Sequence, residues 1–549
     1  MKPCWLFFCV PLCLFSLSSS NAQSLSQSQL TQIDNLFSAF DQGPPIAYGI
    51  ICGDTAIGKE FGAEAYTCKV PGPTPYRLGN MALHFTAYAI LTLEAEGRIR
   101  LSDEISAYLG PGEGVDLRGI TIRQLLNHSH GLPEYWALKS LMGFTNEERF
   151  TTADADQLFT RKLNNLHPPG QRVFFSGTGA YLMARIIEKL TGDNLHAFTQ
   201  RHIFKPLEME HTYFTNSDRV SNIVSYSQSG EIYEPQMIGH YDNGPVGVIT
   251  TLEDLLTWFT FMADQNSAIK QKMDEPILLS EEKIAEIPDG MITYGQQFMH
   301  EERGVNKIWD YGQIGGFASS VYRFPKYDLS IVILSKNGIY FNGFLGMQIS
   351  DILLEDEYTE IAPENRSPIA LTEEFKEKII GSYFDPIYYN YRQIRLQNDT
   401  LRYFRPDYGT EQALYPMSKE ELWMPTPRGD YYFTLIGNSL QLMVENVPYT
   451  YDKVAAYRQK SQDLSSLCGT YLCESHALVL SIKQGKNGNW VLEAGNEERE
   501  LHSVDGQQFV SAHSLYKSLT LKINAQDEII GILISNPGIR DLVFKKFTL

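Results

Sequence analysis

Long apolar runs, cysteine and positive charge are all scarce in this sequence. Beyond residue 22, no segment reaches about 18 consecutive apolar residues, so the mature chain is expected to be soluble and without a transmembrane helix. There are only seven cysteines in 549 residues, and no cysteine–histidine cluster has the spacing of a zinc site. Lysine and arginine number 46 against 65 aspartates and glutamates, which gives a formal net charge of −19. This acidic balance argues against nucleic acid and anionic membranes as partners.

The N-terminal residues have the pattern of a secretory signal peptide. Lys2 supplies a positive charge, Trp5 to Leu17 form a short apolar run, and Ser20-Asn21-Ala22 offers small residues for cleavage. We therefore expect residues 1–22 to be removed and Gln23 to begin a secreted protein, either periplasmic or extracellular. A membrane anchor is the alternative, but the apolar run is short for a membrane span.

Four cysteines remain after the predicted leader, and they form two pairs that are close in sequence. The pairs are Cys52 with Cys68 and Cys468 with Cys473. In an oxidising compartment this arrangement favours two short-loop disulfides. The alternative is four buried free thiols.

The region from Tyr76 to Gly97 predicts a buried helix that follows a glycine turn. Asn80 comes directly after Gly79 and is a favourable N-cap, because its side-chain oxygen can accept from the free backbone N–H groups of a first turn. Apolar residues then recur at helical spacing, at Leu83, Ala87, Ile90, Leu91 and Leu93.

Six short segments between residues 28 and 355 are motifs that are informative both in their sequence and in the order in which they occur. They are Tyr76-Arg77-Leu78-Gly79, Ile120–Leu132, Pro168–Tyr181, Ile203–Met209, Gly247–Phe259 and Tyr311–Asn337. In sequence and order these segments resemble the serine β-lactamase and DD-peptidase family, especially its class C β-lactamase and esterase branch. The resemblance implies an α+β domain over residues 23–360, in which a helical cluster packs on an antiparallel sheet. The last segment predicts two alternating strands joined by a turn at Pro325-Lys326.

The remaining chain changes to short alternating strands and appears as two similar units. Gly381-Ser382-Tyr383 and Gly469-Thr470-Tyr471 open the two units, and each is followed by further strands separated by turns. We expect one antiparallel β-barrel over residues 361–460 and a second over residues 461–549. They resemble the lipocalin-like modules of D-aminopeptidases. A single larger β-domain is the alternative.

The side chains that the family uses for catalysis are replaced in this sequence. The resemblance implies a serine nucleophile, a lysine and a tyrosine for proton transfer, and a histidine or lysine on a neighbouring strand. Asn80 and Leu83 stand at the serine and lysine positions. Phe175-Ser176-Gly177 replaces Tyr-x-Asn, and Gln313-Ile314-Gly315 replaces His/Lys-x-Gly. Only Gly315 is kept, so the covalent route is expected to be lost.

Some groups near these positions remain candidates for a site. The backbone N–H groups of Asn80 and Gly316 are the expected oxyanion donors. The side chains expected at the pocket are His84, His130, Tyr135 and Ser176. Three other Ser-x-x-Lys sequences lack the aromatic-Arg-x-Gly lead and are expected at the surface, at Ser267–Lys270, Ser280–Lys283 and Ser514–Lys517.

Three functions are consistent with the sequence. The first is a catalytically degenerate homologue (a pseudoenzyme) that binds a peptide, a peptidoglycan fragment or a protein partner. The second is an active serine hydrolase of esterase, β-lactamase or D-amino-acid peptidase type with a non-standard constellation, such as Ser176 with His84 or His130 as base. The third is an envelope protein whose β-modules bind partners. No metal ion or organic cofactor is implied.

Overall fold

The structure of the chain is a computed structural model. The structure describes residues 25–66, 72–141, 151–161, 163–215, 223–229, 232–237, 247–264, 266–276, 292–337, 343–359, 368–386, 389–406, 410–426, 429–444, 447–454, 464–485, 489–494, 497–504, 506–511, 516–526 and 528–547. The predicted leader, Cys68, Ser280–Lys283 and Ser514 lie outside the described residues.

The strands of the first domain form one large sheet and two small ones. In chain order they are β1 (Ile46–Cys52), β2 (Thr55–Phe61), β3 (Tyr76–Arg77), β4 (Tyr213–Phe214), β5 (Val224–Ser229), β6 (Ile232–Met237), β7 (Val248–Thr250), β8 (Phe298–Glu302), β9 (Val305–Ile314), β10 (Phe317–Phe324) and β11 (Leu329–Ser335). The large sheet has the order β2-β1-β11-β10-β9-β8, and β1 pairs antiparallel with β11. The N- and C-terminal parts of the domain therefore meet in one antiparallel sheet, as predicted.

Helices cover both faces of this sheet. They are α1 (Gln27–Phe37), α2 (Ala82–Ala95), α3 (Ser106–Leu109), α4 (Ile122–Leu126), α5 (Tyr135–Leu141), α6 (Thr152–Phe159), α7 (Gly177–Thr191), α8 (Leu195–Thr199), α9 (Leu252–Ala263), α10 (Ala268–Asp274) and α11 (Gly343–Leu353). Every residue of β10 and β11 is buried: α11 packs on both strands, α9 packs on β11, and the 3₁₀ turn at Gly79–Met81 packs on β10. The predicted alternation of these strands is therefore wrong, since a strand covered on both faces has no solvent side. Among the described helices, none has the length and apolar character needed to cross a lipid bilayer.

Helix α2 begins differently from the prediction. Residues Gly79–Met81 form a 3₁₀ turn, and Asn80 lies inside that turn and makes no side-chain capping hydrogen bond. The turn packs directly on β9: a Cβ at Gly79 would lie 2.5 Å from the backbone nitrogen of Gln313, and Gly79 has φ +55°. Only glycine fits this approach. This close approach places Asn80, at the serine position of the first motif, beside Gln313, at the first position of the third motif.

Two closed eight-stranded antiparallel barrels follow the first domain, which confirms two β-modules rather than one larger β-domain. Helix α12 (Glu373–Ile379) precedes barrel 1, whose strands are β12 (Gly381–Asp385), β13 (Asn390–Gln397), β14 (Thr400–Arg405), β15 (Thr410–Pro416), β16 (Glu421–Thr426), β17 (Gly429–Ile436), β18 (Ser439–Val444) and β19 (Val447–Lys453). Barrel 2 consists of β20 (Gly469–Cys473), β21 (Leu478–Gln484), β22 (Trp490–Ala494), β23 (Glu497–Ser503), β24 (Gln508–Ser511), β25 (Ser518–Ile523), β26 (Ile529–Asn536) and β27 (Ile539–Phe547).

The repeated Gly-x-Tyr motif has the same role in both barrels. Tyr383 is buried, and its hydroxyl donates to the carbonyl oxygen of Ile379 at 2.7 Å; Tyr471 does the same with Leu467 at 2.7 Å. Each tyrosine thus ties the first strand of its barrel to the helical turn four residues earlier. The sequence repeat is therefore a structural repeat.

The predicted disulfide between Cys468 and Cys473 is not formed, and both are free thiols. Cys473 ends strand β20, which begins at Gly469 directly after Cys468. Five residues of extended chain span about 16 Å, whereas the Cα atoms of a disulfide lie within about 7 Å. The Cys473 Sγ instead lies 3.8 Å from His476 Nδ1. The other predicted pair includes Cys68 and is outside the described residues.

Barrel 2 packs against the helical side of the first domain. The Glu134 N–H donates to the carbonyl oxygen of Gly538 at 2.8 Å, and Arg540 Nη1 donates to the carbonyl oxygen of Leu166 at 2.8 Å. The buried apolar cluster of the first domain continues into barrel 2, where it includes Tyr471. The turn between β26 and β27 therefore lies against α5 and the loop before it.

Candidate functional site

The first motif lies at the start of α2. Asn80 lines an open cavity, whereas Leu83 is 1% exposed and belongs to the apolar core. An amide is a poor nucleophile, and a leucine can neither accept nor donate a proton. The first motif therefore contributes one polar side chain to the cavity and no acid–base group.

The second motif is used for structure. Ser176 is the N-cap of α7: its Oγ accepts from the Thr178 N–H at 3.2 Å and donates to Glu134 Oε2 at 2.5 Å. Gly177 leaves no space for a larger residue, because a Cβ there would lie 2.9 Å from the Tyr135 ring and 3.2 Å from the Trp136 ring. The aromatic residues of α5 thus occupy the volume into which a side chain at position 177 would project.

The third motif lies at the β9–β10 hairpin. Gln313, Ile314 and Gly315 line the cavity, and Gly315 adopts φ +55° in the two-residue turn between the strands. The Gly316 N–H donates to Ser225 Oγ at 3.1 Å. Because this N–H already has a partner on β5, it is not directed at the cavity, and the prediction that Gly316 supplies an oxyanion donor is wrong.

These three motifs surround a cavity of about 820 Å³, here called the cleft. Its aromatic residues are Trp136, Phe174, Phe175 and Tyr311. Barrel 2 forms part of its wall with Lys517 and residues 536–538. The size and the mixed aromatic and polar lining suit a small organic ligand rather than a metal ion.

Glu134 and Lys517 are the charged side chains among the described residues that line the cleft. Burial raises the pKa of the Glu134 carboxyl above its usual value. The Ser176 hydroxyl and backbone N–H groups, including that of Trp136 at 3.1 Å, donate to this carboxyl and act in the opposite direction. The cleft therefore contains a buried carboxyl, that of Glu134, and a cation from a different domain, Lys517 of barrel 2.

The four side chains predicted at the pocket do not line the cleft in the described structure. His84 is buried against Trp258 and Phe259, with Nδ1 2.8 Å from the carbonyl oxygen of Gly295. Burial lowers the pKa of His84 to about 4. A histidine enclosed by aromatic rings is a packing residue, so the proposed His84 base does not reach the cleft.

The other predicted candidates are also part of the core. His130 is buried, its Nδ1 accepts from the Leu132 N–H at 3.0 Å, and burial lowers its pKa to about 3. Tyr135 is fully buried, with its ring 5.1 Å from that of Trp136. Ser176 is bonded to Glu134, as described above. The Ser176 hydroxyl donates to the Glu134 carboxylate, and the histidine in contact with Ser176 is His128, whose Nδ1 accepts from the Ser176 backbone N–H at 3.3 Å. Neither His84 nor His130 bonds to the Ser176 hydroxyl in the described structure.

Several residues of the cleft were missed from the sequence. Tyr311 begins a recognised segment, whereas Glu134 and Trp136 lie just after the segment Ile120–Leu132; none of the three belongs to a catalytic motif. Lys517 was expected at the surface as the end of a chance Ser-x-x-Lys sequence, yet it lines the cleft. Lys270, in another of these sequences, is 4% exposed and lies 3.4 Å from Asp264, so it too is not a surface residue.

Comparisons with known proteins agree with this architecture. The chain is 29% identical over 184 residues to Penicillin-binding protein 4* of Bacillus subtilis (strain 168), which covers 33% of this chain and 40% of the relative. It is 25% identical over 294 residues to Protein flp of Staphylococcus aureus (strain MW2), which covers 52% of this chain and 57% of the relative. The chain thus spans about half the length of the curated relatives it matches.

The fold is also shared with a solved structure. The octameric penicillin-binding protein homologue from Pyrococcus abyssi is 19% identical, with a TM-score of 0.50, and the match covers 78% of this chain and 99% of that chain. The sequence profile of the Beta-lactamase family matches residues 49–339, more than half of the 549-residue chain. Together with the sheet, the helical cluster and the three motif positions around one cleft, this match shows that the chain belongs to the Beta-lactamase family.

Proposed function

We propose that the cleft binds a short peptide with a free carboxylate, such as a peptidoglycan fragment, and does not cleave it. One observation carries the proposal: among the described residues that line the cleft, none is serine, threonine or cysteine. The usual nucleophile of acyl transfer is therefore missing from the described wall, whereas the space for an acyl ligand is kept.

The lining supports a ligand of this class. Trp136 and Phe175 offer apolar rings, and Phe175 is 36% exposed in the otherwise packed second motif. Asn80 and Gln313 carry amides that can pair with the backbone of a peptide. Lys517 places positive charge on the part of the wall that barrel 2 contributes, where it would attract a carboxylate.

Hydrolysis by a non-standard constellation is the second candidate, and one observation favours it. Glu134, Tyr311 and Lys517 line the same cleft and all carry groups that can transfer a proton. These residues come from α5's preceding loop, from β9 and from barrel 2, so no sequence motif would reveal them. In this reading a water molecule, rather than a serine, would attack the substrate.

Binding is tested by calorimetry on the full-length protein with peptidoglycan fragments and D-amino-acid peptides. We expect Lys517→Gln to weaken binding of a carboxylate-terminated peptide about tenfold and to change binding of its C-terminal amide little. Lys522→Gln is the matched control, because Lys522 is an exposed lysine on β25 that does not line the cleft. Absence of binding to every ligand in this panel would contradict the proposal.

Catalysis is tested with nitrocefin, p-nitrophenyl esters and D-amino-acid anilides. No turnover and no covalent adduct with a penicillin is the expected result. Penicillins are included because one relative is named Penicillin-binding protein 4*. Turnover that disappears in Tyr311→Phe or Lys517→Gln would support the second candidate, and turnover lost in Ser176→Ala would support a serine mechanism.

Secretion is part of the proposal. The apolar run from Trp5 to Leu17 and the small residues before Gln23 support an exported protein. Mass spectrometry of the protein recovered from its native host should show a chain that begins at Gln23. A chain that retains Met1 in the cytosol would contradict export.

A further inference from the structure

A second cavity lies where the three domains meet, and it is here called the junction pocket. Its volume is about 350 Å³. The loop before α7 contributes His167, Gln171 and Arg172, barrel 1 contributes Tyr389, and barrel 2 contributes Arg540. The junction pocket is therefore assembled only when all three domains are packed together.

Two positively charged side chains line the pocket. Arg172 and Arg540 both line the pocket, and no aspartate or glutamate does so among the described residues. This contrasts with the net charge of −19 of the whole chain. Arg540 forms an ion pair with Asp541, whose Oδ2 lies 3.5 Å from Arg540 Nε, and Asp541 lies outside the lining. A concave positive site on an acidic protein is a feature that attracts small anions.

The charges of both guanidinium groups influence the pKa values of two residues in the pocket, His167 and Tyr389. Burial lowers the pKa of His167, and the positive charges of Arg172 and Arg540 lower it further. Burial raises the pKa of the Tyr389 phenol, while the same two arginines act in the opposite direction. Both arginines therefore lie near His167 and Tyr389, with which they line the same pocket.

Hydrogen bonds and backbone conformation fix the residues that surround the junction pocket. Arg540 Nη1 donates to the carbonyl oxygen of Leu166 at 2.8 Å, which fixes the guanidinium at the rim and leaves other N–H groups of its fork for further partners. Near Arg172, the Phe174 N–H donates to the carbonyl oxygen of His128 at 2.9 Å. Tyr389 adopts φ +55°, a conformation that a tyrosine keeps only where its surroundings impose it.

We propose that the junction pocket binds a small oxyanion, a carboxylate or a phosphate group, between Arg172 and Arg540. Planar guanidinium forks match the paired oxygens of these groups and bind them with charge-assisted hydrogen bonds. The volume holds on the order of ten water molecules, which is enough for an anion with a small attached group. This site differs from the cleft, although Phe174, Asn536 and Pro537 line both cavities.

The test measures anion binding to the full-length protein by calorimetry with two probes, inorganic phosphate and N-acetylglycine, against a chloride background. We expect saturable binding of at least one probe, weakened at least tenfold in Arg172→Gln and in Arg540→Gln. Arg172→Lys keeps the charge and loses the fork, so it should weaken binding less. Tighter binding of phosphate would identify the ligand as a phosphate group, and tighter binding of N-acetylglycine would identify it as a carboxylate.

Arg161→Gln is the matched control. Arg161 Nη1 donates to the carbonyl oxygen of Ser475 at 3.4 Å, so this variant also removes a hydrogen bond between the first domain and barrel 2, but it removes no charge from the pocket. It should bind the probe as the wild-type protein does. The proposal is overturned if neither probe binds at millimolar concentration, if Arg172→Gln binds normally, or if only Lys517→Gln weakens binding, since that anion would then sit in the cleft.

Discussion

The backbone N–H of Glu134 donates to the carbonyl oxygen of Gly538 at 2.8 Å and so joins the wall of the cleft to barrel 2. Glu134 also accepts the hydroxyl hydrogen bond of Ser176, the N-cap of α7. One residue thus connects the second motif, the cleft and a separate domain. The shape of the cleft consequently depends on how barrel 2 packs.

Enlarging Gly538 should disturb this packing. A Cβ at this position would lie 2.7 Å from Glu134 Cβ and 2.9 Å from Ala137 Cβ. Gly538→Val is therefore expected to cost about 1–3 kcal/mol of stability and to weaken ligand binding in the cleft, because barrel 2 must shift away. Differential scanning calorimetry and peptide binding measure the two effects. Gly437→Ala is the control: it strains a residue at φ +61° with open space around it, so cleft binding should persist.

The Ser176 hydroxyl should matter for stability rather than for chemistry. Ser176→Ala removes both the cap on α7 and a donor to the Glu134 carboxyl, so the free energy of unfolding should fall by about 1–3 kcal/mol. Urea denaturation measures this loss. Ser267→Ala removes only the cap on α10 and should cost about 1 kcal/mol. Equal losses in the two variants would show that the bond to Glu134 contributes nothing.

Replacing Asn80 and Leu83 by the serine and lysine of the first motif should not give the chain a serine hydrolase activity. In Asn80→Ser/Leu83→Lys, the new lysine would enter a position that is 1% exposed, Phe175 would still lack a phenol, and Gly177 has no room for an amide side chain. We expect no covalent adduct with a penicillin by mass spectrometry.

The matching stability measurement uses single variants. Leu83→Lys should lower the free energy of unfolding by more than about 3 kcal/mol, because it buries a charge. Leu83→Met keeps the volume and should cost less than about 1.5 kcal/mol. An adduct on the double variant would show that the remaining groups of the cleft are still competent.

The fold was predictable because local motifs encode it, whereas the cleft was predictable only in part. Asn80, Gln313 and Gly315 come from recognised motifs, and all three line the cleft. The nearness of His84 and His130 to these motifs in sequence predicts both at the cleft, but the helix and loop that carry them direct both rings into the core. Sequence distance says little about which face of an element a side chain occupies.

The contribution of barrel 2 could not be predicted at all. Lys517 and Gly538 reach the cleft only through the packing of whole domains, and no periodicity or motif in barrel 2 refers to the first domain. The unformed Cys468–Cys473 bond has a local reason, since the intervening residues form a strand rather than a turn. The two cysteines are close in sequence, but the extended strand between them holds them too far apart in space for a disulfide.

Buried histidines should make the protein less stable in mild acid. Burial lowers the pKa of His84 and His128 to about 4 and that of His130 to about 3, whereas an unfolded histidine titrates near pH 6.5. Between these values the unfolded chain binds protons that the folded protein does not. Stability is therefore full above about pH 6.5 and falls as the pH decreases towards 4, by up to about 1.4 kcal/mol per pH unit for each histidine.

Carboxyls with a raised pKa oppose this trend, because they add stability that is lost as the pH rises through the folded value. Burial raises the pKa of Glu134, Glu188, Asp254 and Asp310. Four further histidines have lowered pKa values because of burial, His167, His300, His476 and His502. Among the described residues, seven histidines thus act against four carboxyls, so the net slope should remain positive. Urea denaturation between pH 7.5 and 5 measures it. His84→Leu should reduce the slope by up to about 1.4 kcal/mol per pH unit. Leu83→Met, which alters a buried side chain but no titratable group, should keep the wild-type slope. If His84→Leu also keeps that slope, His84 titrates equally in both states and its enclosure by Trp258 and Phe259 does not hold in solution.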